Sequence, residues 1–223
     1  TNSVRPRVVG VVTYDSDTKL LLVVGRDSAY QVTTWLYDVD TNSWTRKFPS
    51  NPPTSTAEQV MAYDSKRKVA YLFGSATAAD QLWSYNVASN IWTKIQAQGT
   101  TPSAGGAYGA SYDIVGDVLL VLGADGLWIY NPLTNAWTKD TSAFKPTNPP
   151  IVHGRLQYDS IHNVTFYVEY GPSYKGNVWA YRYKNSGSLP LPSDTQAPSV
   201  SLTTPTSGST VSGSSVTVSA NAS

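Results

Sequence analysis

The dipeptide Tyr-Asp recurs at Tyr14-Asp15, Tyr63-Asp64, Tyr112-Asp113 and Tyr158-Asp159, at spacings of 49, 49 and 46 residues. No other feature constrains the chain so tightly. A self-similar period near 50 means one supersecondary unit used repeatedly, each unable to bury its apolar surface without its neighbours. After each Tyr-Asp come a short polar turn and an apolar run: KLLLVVG from Lys19, KVAYLFG from Lys68, DVLLVLG from Asp117 and NVTFYVEYG from Asn163. Runs of that length, rich in Val, Leu and Tyr and ended by glycine, predict buried strands.

A third segment follows: TWLYDVDTNSWTRK from Thr34, LWSYNVASNIWTKI from Leu82 and LWIYNPLTNAWTKD from Leu127. The fourth copy, VWAYRYKNSG, keeps Trp179 and Tyr181 but has Ser188 where the second tryptophan is expected, and all seven tryptophans fall on this pattern. Trp83 and Tyr85, two apart, share one face of a strand. In the polar loop beyond them Asn90, like Asn42 and Asn135, is placed for the left-handed conformation of a tight turn, and Trp92 opens the outgoing strand. Each repeat therefore supplies about four antiparallel strands, a sheet that cannot cover both its faces by itself. The predicted fold class is all-β, with such sheets packed radially as blades. Because the aromatic residues recur in every repeat, they are assigned to architecture; a ligand platform needs them in one place only.

An apolar strand ending in glycine, then a Tyr with a Trp seven residues later (Tyr37/Trp44, Tyr85/Trp92, Tyr130/Trp137), resembles the kelch repeat of kelch-type β-propellers, over roughly residues 7–186. The family's double glycine is single here (Gly25, Gly74, Gly123), Glu169 occupies the aligned position in the fourth copy, and only Arg7 keeps the arginine usual before the innermost strand. The resemblance implies a ring of six or seven blades, whereas four repeats are visible. Closure at four and a partial propeller both stay open.

The end of the chain favours the second. Past Asp194 there is no charged residue, and the Ser/Thr-rich tail carries the short strands VSL and VTVSA between prolines and glycines. This tail resembles the opening of the Ig-like modules of exported bacterial surface proteins and polysaccharide-active enzymes; a whole Ig sandwich takes on the order of 100 residues, so the segment is read as truncated. Its alternative is a flexible linker. The expected organisation is propeller repeats over 1–186 (about 7–56, 57–104, 105–150 and 151–186), a linker over 187–197 and the start of an Ig-like domain over 198–223, with further blades expected before Thr1.

Sixteen basic and fifteen acidic residues give no electrostatic case for nucleic acid or an anionic membrane, and no basic cluster offers phosphate contacts. Only 14% of residues are charged, against about 25% in ordinary soluble domains. No cysteine is present, which removes disulfides, thiolate metal sites and thiol nucleophiles from this chain. No eighteen apolar residues run together, so no membrane-spanning helix is expected, and the first residues have no secretion-signal pattern.

Sheets of a propeller are consumed by packing, so chemistry is sought in loops near the axis. The loops after each glycine and those between repeats are expected on one face. That face gathers Arg26, Asp27, Tyr30, Asp80, Asp125, Glu169, Tyr170, Tyr174 and Lys175, together with His153 and Arg155 from the loop before the fourth repeat. Mixed aromatics, acids and bases suit a sugar or peptide ligand, although each is equally explained as a solvated loop residue. Asp27, Asp80, Asp125 and Glu169 recur once per blade, and glycoside hydrolysis uses two carboxyls about 5–10 Å apart; turns favour acids in any case, and that reading is the stronger.

Kelch propellers followed by an Ig-like domain also resemble the copper-radical oxidases of the galactose-oxidase type. That chemistry requires a Tyr-Cys crosslink, a second Tyr and two His; this chain has no Cys, and His153 and His162 have no adjacent Tyr. No cofactor and no metal are therefore expected. The favoured expectation is an extracellular or cell-surface bacterial module that binds glycan or protein through its loops. A carbohydrate-active enzyme or copper-radical oxidase is the alternative, and a surface-layer or filament subunit, completed by other chains, is the third.

Overall fold

A computed structural model of the chain describes residues 5–6, 8–29, 31–54, 59–74, 82–102, 107–123, 125–142, 155–168, 177–184, 200–206, 208–213 and 215–222. It divides into two compact units, Thr1–Ser186 and Gly187–Ser223. The described residues of the first unit contain no helix. They form sheets in strict chain order: β1 (Val8–Asp15), β2 (Leu20–Arg26), β3 (Val32–Asp38) and β4 (Ser43–Lys47); β5 (Val60–Asp64), β6 (Val69–Phe73), β7 (Leu82–Asn86) and β8 (Ile91–Ile95); β9 (Ala107–Asp113), β10 (Val118–Gly123), β11 (Gly126–Asn131) and β12 (Ala136–Lys139); β13 (Arg155–Asp159), β14 (Val164–Val168) and β15 (Val178–Tyr181). All pairs are antiparallel. Each sheet is thus one repeat, a blade, and the Ser188 position of the fourth lies outside the described residues.

The same local chemistry turns the first hairpin of every blade. The aspartate of Tyr-Asp accepts backbone N–H bonds from the turn: Asp15 from Asp17 and Thr18 (2.9 and 3.1 Å), Asp64 from Lys66 and Arg67 (2.9 and 3.1 Å), Asp113 from Gly116 (2.7 Å), and Asp159 from Ile161 and His162 (2.9 and 3.2 Å). The residue that closes the turn is left-handed in each case, at Lys19, Lys68, Asp117 and Asn163 (φ 60°, 57°, 57° and 51°). This carboxylate supplies an acceptor that the tight turn otherwise lacks.

The outer hairpin repeats the device. Asn42, Asn90 and Asn135 take positive φ (50°, 55°, 51°), as their position predicts. Each also accepts a hydrogen bond from the phenol of the preceding strand, Tyr37, Tyr85 or Tyr130, at 2.8, 2.8 and 3.0 Å. The seven-residue Tyr-to-Trp spacing places the two rings directly opposite across the hairpin, Tyr37 facing Trp44, Tyr85 facing Trp92 and Tyr130 facing Trp137. Their centroids are 4.7, 4.8 and 5.3 Å apart, in tilted contact.

Blades pack face to face in series. The tryptophan-bearing face of the second blade (Met61, Leu72, Trp83, Tyr85, Trp92) lies on Leu22, Val24 and Leu36 of the first. The third blade repeats this on the second (Tyr112, Val121, Trp128 and Trp137 against Tyr71, Phe73 and Leu82), and the fourth on the third (Leu156, Tyr167 and Tyr181 against Leu120, Leu122 and Leu127). The joints have polar pins. Trp92 Nε1–H donates to Thr34 Oγ1 at 3.1 Å in a buried contact, and the chain leaving each outer strand bridges to the next blade, Ser50 beside Ile91 and Gln98 beside Ala136. The first strands adjoin around a common axis, β1 beside β5, β5 beside β9 and β9 beside β13. At Gly109 the approach is so close that a Cβ would stand 2.9 Å from the backbone nitrogen of Leu156. The architecture is a β-propeller arrangement of blades.

The second unit has one described two-stranded antiparallel sheet, β16 (Val200–Thr204) with β17 (Ser219–Ala222). The first coincides with the expected VSL strand. The second lies toward the end of the expected VTVSA run, Val216 to Ala220, and beyond it. A Ser/Thr-rich strand with no strongly apolar face specifies its register weakly.

Candidate functional site

The register puts the start of β1 beside the end of β2, Val8 opposite Arg26, and in the fourth blade Arg155 opposite Val168. The β2–β3 and β10–β11 turns and the starts of the axial strands therefore share one end of their blades, as the sequence predicted. Tyr30, Asp80, His153, Glu169, Tyr170, Tyr174 and Lys175 lie outside the described residues, and Arg155 is placed by its backbone as the first residue of β13.

Asp27 organises its own turn: its Oδ1 accepts from Ala29 N–H (2.9 Å) and Gln31 N–H (3.0 Å), and its Oδ2 is 3.6 Å from Arg46 of β4. Asp125 Oδ1 accepts from the Trp128 indole N–H and Oδ2 from the Lys139 ammonium, both at 2.9 Å. Burial raises the Asp125 carboxyl, and the Trp128 and Lys139 hydrogen bonds outweigh it, holding the group below the ordinary carboxylate value. The two carboxylates are thus tied to the outermost strands of their own blades, and neither lines the axis.

Those outer-strand cations form a series that sequence reasoning missed. Arg46, Lys94 and Lys139 each stand opposite a tryptophan of the neighbouring strand, Trp35, Trp83 and Trp128. Each charge lies over that ring, at 5.7, 5.9 and 5.3 Å from the centroid. The signal was present: a basic residue sits two after the second tryptophan in every complete repeat.

The axis holds a cavity of about 740 Å³ lined by all four first strands. Tyr14, Tyr63, Tyr112 and Tyr158 contribute to it, with Ser16, Ser65 and Ser160 at the turn end and Gln59, Ser111 and Gln157 along the strands. Val12, Met61 and Leu156 supply apolar patches, and no Asp, Glu, Lys, Arg or His is among the lining residues. The phenols of Tyr63, Tyr112 and Tyr158 stay neutral over the physiological range. Burial, reinforced by Asp15 and Asp17, raises Tyr63; burial and the bond to Asp117 raise Tyr112; burial and Asp113 push Tyr158 up to about 12.

Charge is instead held behind the wall, in the joints. Arg67 donates to Asp64 (2.8 Å), to the Tyr112 hydroxyl (2.8 Å) and, through both terminal nitrogens, to Asp117 (2.9 and 3.0 Å). This fork spans the second and third blades, and Tyr63 spans the first two by donating to Asp17 (2.8 Å). Arg67 depresses the Asp117 carboxyl strongly. The result is an uncharged surface of aromatic faces, hydroxyls and amides, suited to stacking and neutral hydrogen bonding; it has no cation for phosphate. Among the described residues no group of three or more His, Cys, Asp or Glu could hold a metal ion, and no helix is long and apolar enough to cross a membrane.

No protein-family model matches the chain, and no curated protein matches it in sequence. Solved structures are similar to it in fold. The RRP9 WD40 repeats align with 79% of this chain at 12% identity and a TM-score of 0.54, covering 52% of their own length. An auxiliary nutrient binding protein from Bacteroides thetaiotaomicron aligns with 78% (11% identity, TM-score 0.51), covering 42% of its length. A chain of the nidogen/laminin complex aligns with 78% (10% identity, TM-score 0.51), covering 64% of its length. The chain therefore spans 42–64% of these structures. Sequence order, blade packing and structural likeness agree that the described residues of the first unit form a β-propeller arrangement.

Proposed function

We propose that the chain is a binding module of a kelch-type propeller that takes an uncharged, polyhydroxylated ligand, a glycan, on its axial surface. The carrying observation is the composition of the cavity: tyrosines, serines and glutamines from four blades with no charged residue. Tyrosine faces stack on sugar rings while serine and glutamine pair with hydroxyls, and neutral partners lose little on desolvation. Tyr14 and Gln157 are exposed there and offer the most accessible contacts. The loop residues Arg26, Asp27, Asp125 and Arg155, with Tyr30, Asp80, His153, Glu169, Tyr170, Tyr174 and Lys175, are proposed as a second ring of contacts at the entrance.

The kelch-like Tyr and Trp spacing, the low charge and the Ser/Thr-rich tail together support an extracellular or cell-surface role in a bacterium, with residues 198–223 opening an Ig-like spacer. An auxiliary nutrient binding protein of a bacterium is among the similar folds, which accords with this reading.

A glycan array probed with the 223-residue chain, followed by calorimetric titration of the hits, tests it. Tyr14→Ala and Gln157→Ala are expected to weaken a hit about tenfold each, or about 1.4 kcal/mol. An array without hits, or hits indifferent to both substitutions, overturns the proposal; in the second case a protein ligand on the loop face takes its place.

A further inference from the structure

The three joints that open on the axial cavity are built alike, and the third differs from the other two in one side chain. The residue after each Tyr-Asp is Ser16, Ser65, Ile114 or Ser160, and all four line the cavity. The tyrosine of each following blade reaches the turn of the blade before. Tyr63 donates to Asp17 at 2.8 Å, and Arg67 donates to the Tyr112 hydroxyl at 2.8 Å. The Tyr158 hydroxyl is set against the Val115 backbone and Asp113. Each joint thus presents a corner to the cavity: Tyr63 with Ser16, Tyr112 with Ser65, and Tyr158 with Ile114. The hydroxyls of these tyrosines are engaged, by Asp17, Asp117 and Asn163, so what each offers the cavity is its ring.

Ile114 is 37% exposed. Its turn does not call for it: the acceptor there is Asp113, and Asp15, Asp64 and Asp159 hold turns of the same length with serine in that position. We infer that Ile114 sets the specificity of the axial site. The corner it forms with the Tyr158 ring receives a methyl group, so the ligand is a methyl-bearing sugar, with a methyl either in place of its hydroxymethyl group or on an acetamido group. This rests on the glycan reading of the cavity and carries it on to the class of sugar. The two serine corners pair a ring with a hydroxyl and suit the face and hydroxyls of any sugar. The third pairs a ring with a branched aliphatic chain and makes no side-chain hydrogen bond. A sugar hydroxyl placed there loses its water without a replacement partner, whereas a methyl is removed from water against apolar surface. The corner therefore both rejects the one and favours the other. No charged residue lines the cavity, so no ionic contact swamps a difference of that size.

Two matched pairs of free sugars, titrated by calorimetry into the 223-residue chain, test this: D-fucose against D-galactose, and N-acetyl-D-glucosamine against D-glucose. The methyl-bearing member of one pair is expected to bind about fourfold tighter than its partner, the worth of one buried methyl-sized group. The pair that shows the preference identifies which methyl the corner takes. Ile114→Ser gives the third turn the residue found in the other three and is expected to erase the preference. Ile114→Val keeps a branched apolar side chain and is expected to retain it. Equal binding within both pairs, or a preference that survives Ile114→Ser, overturns the inference and leaves the glycan reading standing. Absence of binding by all four sugars also overturns it, and the glycan array then decides separately whether the glycan reading stands.

Discussion

Trp44 and Trp92 occupy the same position in successive repeats, yet Trp92 is fully buried at the joint with the first blade while Trp44 is only half-buried. Replacing each with phenylalanine therefore compares one side chain in two burial states. At Trp92 the change opens a gap larger than a methyl group, which costs about 1 kcal/mol or more. It also removes the indole N–H that donates to Thr34 Oγ1 at 3.1 Å, leaving a hydroxyl that is 1% exposed to lose its partner, at about 1–3 kcal/mol. Trp92→Phe is thus expected to lower stability by about 2–4 kcal/mol, a large part of the 5–15 kcal/mol typical of a domain. Trp44→Phe is expected to cost no more than about 1 kcal/mol, because its surroundings are already partly water. Urea unfolding followed by far-ultraviolet circular dichroism measures both, with unchanged slope as the check that the transition is the same one. Thr34→Val on top of Trp92→Phe should recover part of the loss, since both ends of the broken bond are then apolar. Equal costs at the two positions, or no recovery in the double variant, refute the assignment of Trp92 as the pin between blades.

Two further outcomes follow from the joints. Asp117 has its carboxyl depressed by Arg67, so its stabilising effect is present above the unfolded value near 3.8 and is lost as the pH falls toward the folded value. Asp117→Asn, whose left-handed backbone asparagine accepts, should lower stability at pH 7 by about 1.5–3 kcal/mol and flatten the acid limb of a stability-versus-pH curve below pH 4; an unchanged acid limb contradicts the clamp. Gly109→Ala sets a methyl 2.9 Å from the Leu156 nitrogen and should cost about 1–3 kcal/mol by forcing the third and fourth blades apart, read as a lowered unfolding midpoint.

What was legible in the sequence was what is local. Asn42, Asn90 and Asn135 could be placed in tight turns because the conformation is dictated within a few residues, and Trp83 and Tyr85 could be put on one face because strand period alone fixes that. The shared end of the β2–β3 loops followed from strand alternation. The joints were not legible, because Trp92 meeting Thr34 and Arg67 meeting Asp117 join residues 58 and 50 apart whose pairing depends on how one blade is staggered on the next. For the same reason Asp27 and Asp125 read as candidate carboxylates facing a common axis, while the register ties them to Arg46 and Lys139 of their own blades. The axial cavity was hidden differently. Its tyrosines were noticed as repeat markers, and only the radial packing brings the strands that carry Tyr14, Tyr63, Tyr112 and Tyr158 around one space.

The central claim is that each repeat after the first lays its tryptophan-bearing face on the aliphatic face of the blade before, leaving Phe166, Val168 and Val178 of the fourth blade exposed in the 223-residue chain. The chain contains no cysteine, so single cysteines report position without background. Thiol labelling of Leu82→Cys, Leu127→Cys and Val178→Cys under native conditions compares one repeat position in three successive blades. The account predicts that the Val178→Cys thiol reacts at the rate of a free thiol and that the other two, 1% and 2% exposed at the native residues, react at least about a hundredfold more slowly because they await local opening. Equal rates at the three positions contradict it.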